Sequence, residues 1–196
     1  MTPRRKRGYT VVELMAGLAV FATGVTGVIA MQRATSGSNQ LAKNVTVATG
    51  IAEAWLGELA ADATLWQTTV VGTTTWLTSI NTAGVNGAWQ RPTWNATRGM
   101  GPEFTPVGAP IQAGGDFCVH IRLTWLYRDS NGGGLQGNGL IRTEARVFWP
   151  RSNVARVTGD CTDGTAATIN AVTAGITRGD YHVVHLAGAV RQPGAQ

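Results

Sequence analysis

The feature that most constrains this chain is a run of eighteen residues, Leu14 to Met31, without a charged side chain, set close to the N-terminus. Counted from Tyr9 the apolar stretch is 23 residues. That is about 34 Å of helix, and a bilayer core needs about 20 apolar residues. Ahead of it stand Arg4, Arg5, Lys6 and Arg7, followed by Gly8 and Tyr9. The basic cluster holds this end in the cytoplasm, so the remainder of the chain lies outside it. One carboxylate, Glu13, intrudes at the start of the run. Its charge costs at least ~2.5–3.5 kcal/mol in a membrane, which demands a partner. Tyr9 and Glu13 are spaced i, i+4 and share one helix face.

Basic leader, glycine, aromatic residue, glutamate and apolar run, in that order, resemble the class III signal of type IV prepilins and type II secretion pseudopilins. The resemblance implies that a membrane peptidase cuts after Gly8 and methylates the new amine of Tyr9. Phenylalanine is usual at that place, so Tyr9 is a mild departure. Glu13 falls on the family's glutamate. The implied roles agree with elementary electrostatics. The Tyr9 amine can meet Glu13 of its own subunit or of a neighbour, and a neutralised pair in a low-dielectric core sets axial register. Two plainer readings compete. Val28-Ile29-Ala30 satisfies the small-residue rule of a secretory signal cut after Ala30, but a glutamate at the head of the apolar run argues against it. The other is a simple membrane anchor.

The leader also explains the charge. The chain carries 16 Lys+Arg against 11 Asp+Glu, a net of +5. Four of those cations lie in residues 1–8, and without them the balance is 12 against 11, or +1. The basic balance is thus a targeting feature and no argument for nucleic-acid binding. Cys118 and Cys161 lie 43 positions apart in the exported part. Compartment favours a disulfide, stabilising by about 4 kcal/mol in the chain-entropy model. Two buried free thiols are the alternative.

Past the apolar run, Leu41, Val45, Ala48, Ala52, Trp55 and Leu59 form one helical stripe, with Lys43, Glu53, Glu58 and Asp62 off it. We therefore expect one helix from Tyr9 to Asp62, about 81 Å long, weakest over the polar stretch 33–39, with its second half packed on a sheet. Residues 1–8 are then a leader, 9–31 a membrane and assembly half, 32–62 an amphipathic half, and 63–196 a periplasmic head. Val70–Ile80 has strand composition, and Asn81–Gly115, with four prolines, reads as an irregular connection fastened by Trp89 and Trp94. Asp116–Tyr127 alternates, with Phe117, Val119, Ile121, Leu123, Trp125 and Tyr127 on one face. Ile141–Trp149 alternates too, with Arg142, Glu144 and Arg146 toward solvent. Gly-rich Arg128–Gly139 joins them as a hairpin. A turn region runs from Pro150 to Gly179, Tyr181–Leu186 is a last strand, and Arg191–Gln196 is a disordered tail. The class is α+β: a long N-terminal helix and an antiparallel sheet, which is also the pilin architecture that the leader implies. Met31-Gln32 and the continuation through Ile51-Ala52-Glu53 resemble the minor pilins of the PilV group.

No catalytic constellation and no cofactor motif is present. His182 and His185, three apart in a strand, fall on opposite faces and make no metal pair. Asp129-Ser-Asn131-Gly-Gly-Gly134 opens like a calcium loop, but Gly133 and Leu140 stand where ligands belong, and a hairpin turn explains the residues. Asp160 and Asp163 beside Cys161 could add ligands. The resemblance implies a non-enzymatic minor pilin whose partners are other minor and major pilins, the prepilin peptidase and the bacterial inner membrane, and whose final place is the pilus. A minor pseudopilin of type II secretion is the alternative within the family. An adhesin or DNA-uptake pilin is the alternative in another class, although Arg142 and Arg146 alternating with Glu144 build no basic patch.

A chain read this way should gain an N-terminus at Tyr9 only when a prepilin peptidase is present, and Gly8→Leu should stay full-length. Intact-mass measurement checks this. A product beginning at Met31 with or without the peptidase would establish ordinary signal cleavage instead.

Overall fold

The computed structural model describes residues 9–66, 74–81, 84–128, 139–152 and 154–191. Its contacts divide the chain into two units, residues 1–43 and 44–196, and helix α1 (Val11–Ala63) passes through both.

In the first unit apolar side chains stand exposed on every side of α1, among them Val12, Leu14, Met15, Leu18, Phe21 and Met31. A helix apolar all round belongs in lipid or in a deep core, and α1 is long and apolar enough to cross a membrane. Three of its threonine hydroxyls bond back into the helix. Thr23 donates to the carbonyl of Val20, Thr26 to that of Thr23, and Thr35 to that of Met31. Residues 33–39, expected as a weak point, are helical throughout.

In the second unit the stripe of α1 is buried from Ala48 onward through Ile51, Ala52, Trp55 and Leu59, whereas Val45 stays 41% exposed. The sheet that covers it has the order β3-β2-β4-β5-β6, with β1 also paired to β4. The strands are β1 Trp89–Gln90, β2 Glu103–Phe104, β3 Pro110–Ile111, β4 Phe117–Arg128, β5 Gly139–Pro150 and β6 Tyr181–Arg191. All pairings are antiparallel. The connection 81–115 is therefore not wholly irregular: it adds three two-residue strands to the edge beyond β4. The expected strand at 70–80 is overturned at its end, where Leu77–Asn81 is a 3₁₀ turn. Its beginning and the loop Asp129–Asn138, with the calcium-like residues, lie outside the described residues, as do 192–196.

Pleating sorts the side chains. Phe117, Val119, Ile121 and Leu123 of β4 and Ile141, Ala145 and Val147 of β5 are buried with α1. Cross-strand partners match, with Val119 opposite Val147 and Ile121 opposite Ala145. A register shift between Trp125 and Tyr127 ends the alternation, and Tyr127 is exposed, contrary to the sequence expectation. The opposite face is covered by a helix that the sequence reading took for a turn. α2 (Ala166–Arg178) starts at Thr165, whose hydroxyl accepts from Thr168 N, and stops at Gly179, which holds φ +83°. Val172 packs with Cys118, Phe148 and Tyr181 beneath it. The solvent-facing assignment of β5 is corrected on this face, where Arg146 reaches Thr173 of α2 and Glu144 is enclosed by charged partners from the strands. Arg142 is exposed, but Glu144 and Arg146 are buried.

Asp62 is also buried rather than on an outer helix face. Its carboxylate accepts from the backbone N–H groups of Thr75 (2.7 Å), Trp76 (2.8 Å) and Leu77 (3.0 Å), and Arg98 lies 3.5 Å away. The bonds bring Trp76 edge-on to Trp55, with ring centroids 5.1 Å apart. Asp62→Ala should lower stability by about 3 kcal/mol, because two buried backbone donors and one part-buried donor lose their acceptor, while Arg98 keeps Glu58 at 3.1 Å. Denaturant unfolding of the two proteins in the same detergent measures the difference.

Candidate functional site

The N-terminal segment is built by a local hydrogen-bond exchange. Thr10 precedes the first turn of α1. Its hydroxyl accepts from the Glu13 N–H at 3.3 Å, and its own N–H donates to Glu13 Oε2 at 3.4 Å. This is a capping box, in which two otherwise unpaired helix donors are satisfied reciprocally. The Thr10 carbonyl accepts from Leu14 N at 3.2 Å, which opens the helical ladder. Glu13, the sole acidic residue of the first turn, also lies where the helix dipole favours a negative charge. Sequence reasoning asked for a partner for Glu13 and looked to Tyr9. It missed Thr10, although Thr10-Val11-Val12-Glu13 spells the T-x-x-E signature. Tyr9 is 87% exposed, one residue outside the cap. Gly8 lies outside the described residues.

Residues 3–29 match the family model described as the prokaryotic N-terminal methylation motif. Searches among curated proteins and solved structures find no match. The chain carries the signal of type IV prepilins and pseudopilins, on a helix apolar and exposed enough for a membrane and followed by an antiparallel head. That match supports a type IV pilin- or pseudopilin-like protein.

In the head, Cys118 and Cys161 form a disulfide with Cα atoms 5.1 Å apart. It ties the start of β4 to the loop before α2. Arg156 fastens the same loop: Nε donates to Asp160 Oδ2 (3.0 Å), Nη1 to the Gly115 carbonyl (3.1 Å), and Nη2 lies 2.9 and 3.0 Å from the two sulfurs. Asp160 further accepts from Tyr181 Oη and Cys161 N. Asp163 accepts from Thr165 and Thr168 and organises the start of α2. Both aspartates considered as ion ligands are thus engaged in holding the fold. Cys118, Asp160 and Cys161 cluster closely, but the bonded sulfurs offer no thiolate. His182 and His185 sit on opposite faces of β6, His182 stacked on Trp149 and His185 edge-on to Trp89.

The face under α2 holds a charge network that the alternating pattern could not show. Glu144 accepts from Arg122 at 2.5 and 2.8 Å and from Arg142 at 3.0 Å. Those bonds, Arg122's first, hold its carboxyl below the ordinary value against the opposing effect of burial. Arg122 and Arg146 lie over the Trp89 ring, 4.6 and 4.4 Å from its centroid. Trp89 therefore packs the 81–115 connection onto this charged face of the sheet. Arg146 has no carboxylate partner among the described residues; its Nη2 bonds His120 Nδ1 (2.8 Å) and Thr173 (3.0 Å). Burial, and then Arg122, bring its pKa down to about 10. Burial first, then the Arg146 charge, lower His120 to about 3, while the Asp160 backbone opposes the shift.

His120 is therefore neutral when folded and protonates below about pH 6.5 when unfolded. The unfolded state binds the extra proton as pH falls, so this contribution is complete above pH 6.5 and is lost progressively toward pH 3. The loss is on the order of 4 kcal/mol. His120→Gln, which can still accept from Arg146 but does not titrate, should flatten the stability slope across that window. Unfolding midpoints recorded from pH 7 to pH 4 test the difference.

Proposed function

We propose that the protein is a minor type IV pilin, a low-abundance structural subunit of a complex that primes or tips a pilus. It is made as a prepilin in the bacterial inner membrane, N-terminus inside. The peptidase removes residues 1–8 after Gly8 and methylates Tyr9. Residues 9–31 then serve anchoring and assembly, 32–62 carry the amphipathic half of the helix, and 63–196 form the periplasmic head that later reaches the pilus surface. The observation that carries this reading is the match of residues 3–29 to the methylation motif, with Glu13 in the first turn of an otherwise apolar, exposed helix. Met31-Gln32 and Ile51-Ala52-Glu53 support a PilV-like subunit in particular.

Mechanistically, cleavage places a cationic amine at Tyr9, next to the Thr10 N–H that Glu13 already accepts. In the membrane the subunit can shield its own carboxylate. On assembly Glu13 exchanges that shield for the Tyr9 amine of a neighbour. The pair is neutral in hydrocarbon, and misregister strands both charges. Release from an intramolecular bond to an intermolecular one is the step that makes insertion and assembly separable.

Glu13→Gln tests this step, because glutamine preserves the capping box and the apolar length while removing the charge. Insertion and cleavage should be normal, but incorporation into the complex should fall sharply, since an unpaired buried amine costs ~3–5 kcal/mol. Glu13→Asp should be intermediate, keeping the charge with shorter reach. The measurement is co-purification with partner subunits beside pilus counts. Wild-type incorporation of the glutamine variant would refute the charge-pair step, and recovery with secretion subunits alone would move the protein to the pseudopilins.

A further inference from the structure

The two edges of the sheet are built in opposite ways. Beyond β4 the edge consists of two-residue strands, Trp89–Gln90, Glu103–Phe104 and Pro110–Ile111, interrupted by Pro92, Pro102 and Pro106. Short, proline-broken strands are how proteins blunt an edge against further pairing. The other edge is β6, eleven residues long. It pairs with β5 without a register shift from Leu140–Arg191 to Pro150–Tyr181. From Tyr181 to Val190 it contains no proline, lysine or carboxylate, the residues that would block an edge. In an antiparallel pair every second residue turns its N–H and C=O away from its neighbour. Among the described residues nothing hydrogen-bonds to that outer row, and Val183 is 41% exposed on the strand.

We propose that β6 is a strand-addition site, occupied in the assembled complex by an extended segment of a different subunit. Backbone donors and acceptors alternating at strand spacing are matched only by another strand. A low-abundance subunit, as read above, meets other kinds of chain rather than its own copies, so the occupant is heterologous; this inference rests on that reading. The side chains define the rest of its chemistry. Toward α1 the added strand continues Val184, Leu186 and Val190, which face the core, and so carries apolar residues. On the other face it lies beside His185, Ala187 and Ala189 and carries small or polar ones. At the Arg191 end it presents a carboxylate. Arg191 is exposed and makes no ion pair among the described residues, Arg142 is exposed on the next strand, and Glu144 is already bonded to Arg122 and Arg142.

The test uses the full chain, alone in micelles and within the complex that co-purifies with it, reading amide exchange residue by residue along β6. Alternate amides, those of the outer row, should slow at least tenfold in the complex, while the row bonded to β5 is protected in both samples. A pair of exposed charges, Ala187→Lys with Ala189→Lys, should lower recovery of the complex at least tenfold with the disulfide still formed. Asn170→Lys on α2 should not. Unchanged exchange of the outer row in an intact complex, or full recovery of the lysine variant, overturns the proposal. Slowed exchange in a complex whose β6 cross-links to a second copy of this chain overturns the heterologous occupant. If the wild type co-purifies with no other subunit, the assembly reading falls as well, and the two failures are distinguishable.

Discussion

Burial of one stripe of α1 against the sheet is the contact on which the head depends. Ala48, Ile51, Ala52, Trp55 and Leu59 are almost without exposure, and they meet the inward residues of β4 and β5. Small alanines let the helix approach the strands, and Trp55 fills the space beside them. The same helix is apolar on all sides nearer its N-terminus. One element thus suits two surroundings: a protein core that needs a stripe and a membrane that needs a cylinder. The charges follow from that division. Glu13 is the exception in the cylinder and is held by the helix's own first turn. Asp62, at the other end, is buried in protein and orders the chain that leaves the helix.

The second face of the sheet is organised around charge. Burying Arg146 without a carboxylate is expensive, and three contacts offset the cost: a neutral His120, the Thr173 hydroxyl and the face of Trp89. The disulfide and Arg156 fix the loop leading into α2, so the helix covers the apolar end of that face, around Phe148 and Tyr181. The arrangement leaves β6 with one side paired and the other open, which gives the head a directional surface of backbone groups. On the proposed reading, that surface and the Glu13 charge act at different stages, one in the head and one in the membrane, each specifying register by hydrogen bonding or charge.

Local signals were readable wherever chemistry and spacing coincided in a short window. The apolar run, Gly8-Tyr9 and Glu13 announced the prepilin-like signal, and alternation announced β4 and β5. α2 was equally local, since Thr165, Ile169, Val172, Ile176 and Gly179 give a cap, a stripe and a stop. It was passed over because its threonines and glycines resemble a turn composition. The burial of Glu144 and Arg146 could not be read in this way. A strand alternating charged with apolar residues looks half-solvated until side chains from other strands, and for Arg146 also α2, cover its polar face.

By itself, then, the sequence determined the membrane-competent helix, its charged start, the prepilin-like signal and the α+β class, because each depends on neighbours within a few turns or one strand. Tertiary structure alone decided that Asp62 caps a distant 3₁₀ turn, that Trp89 packs against two arginines, that His120 is kept neutral and that β6 is the open edge. Those outcomes depend on which segments meet across the sheet, and contacts between residues tens of positions apart leave no periodic trace in the chain.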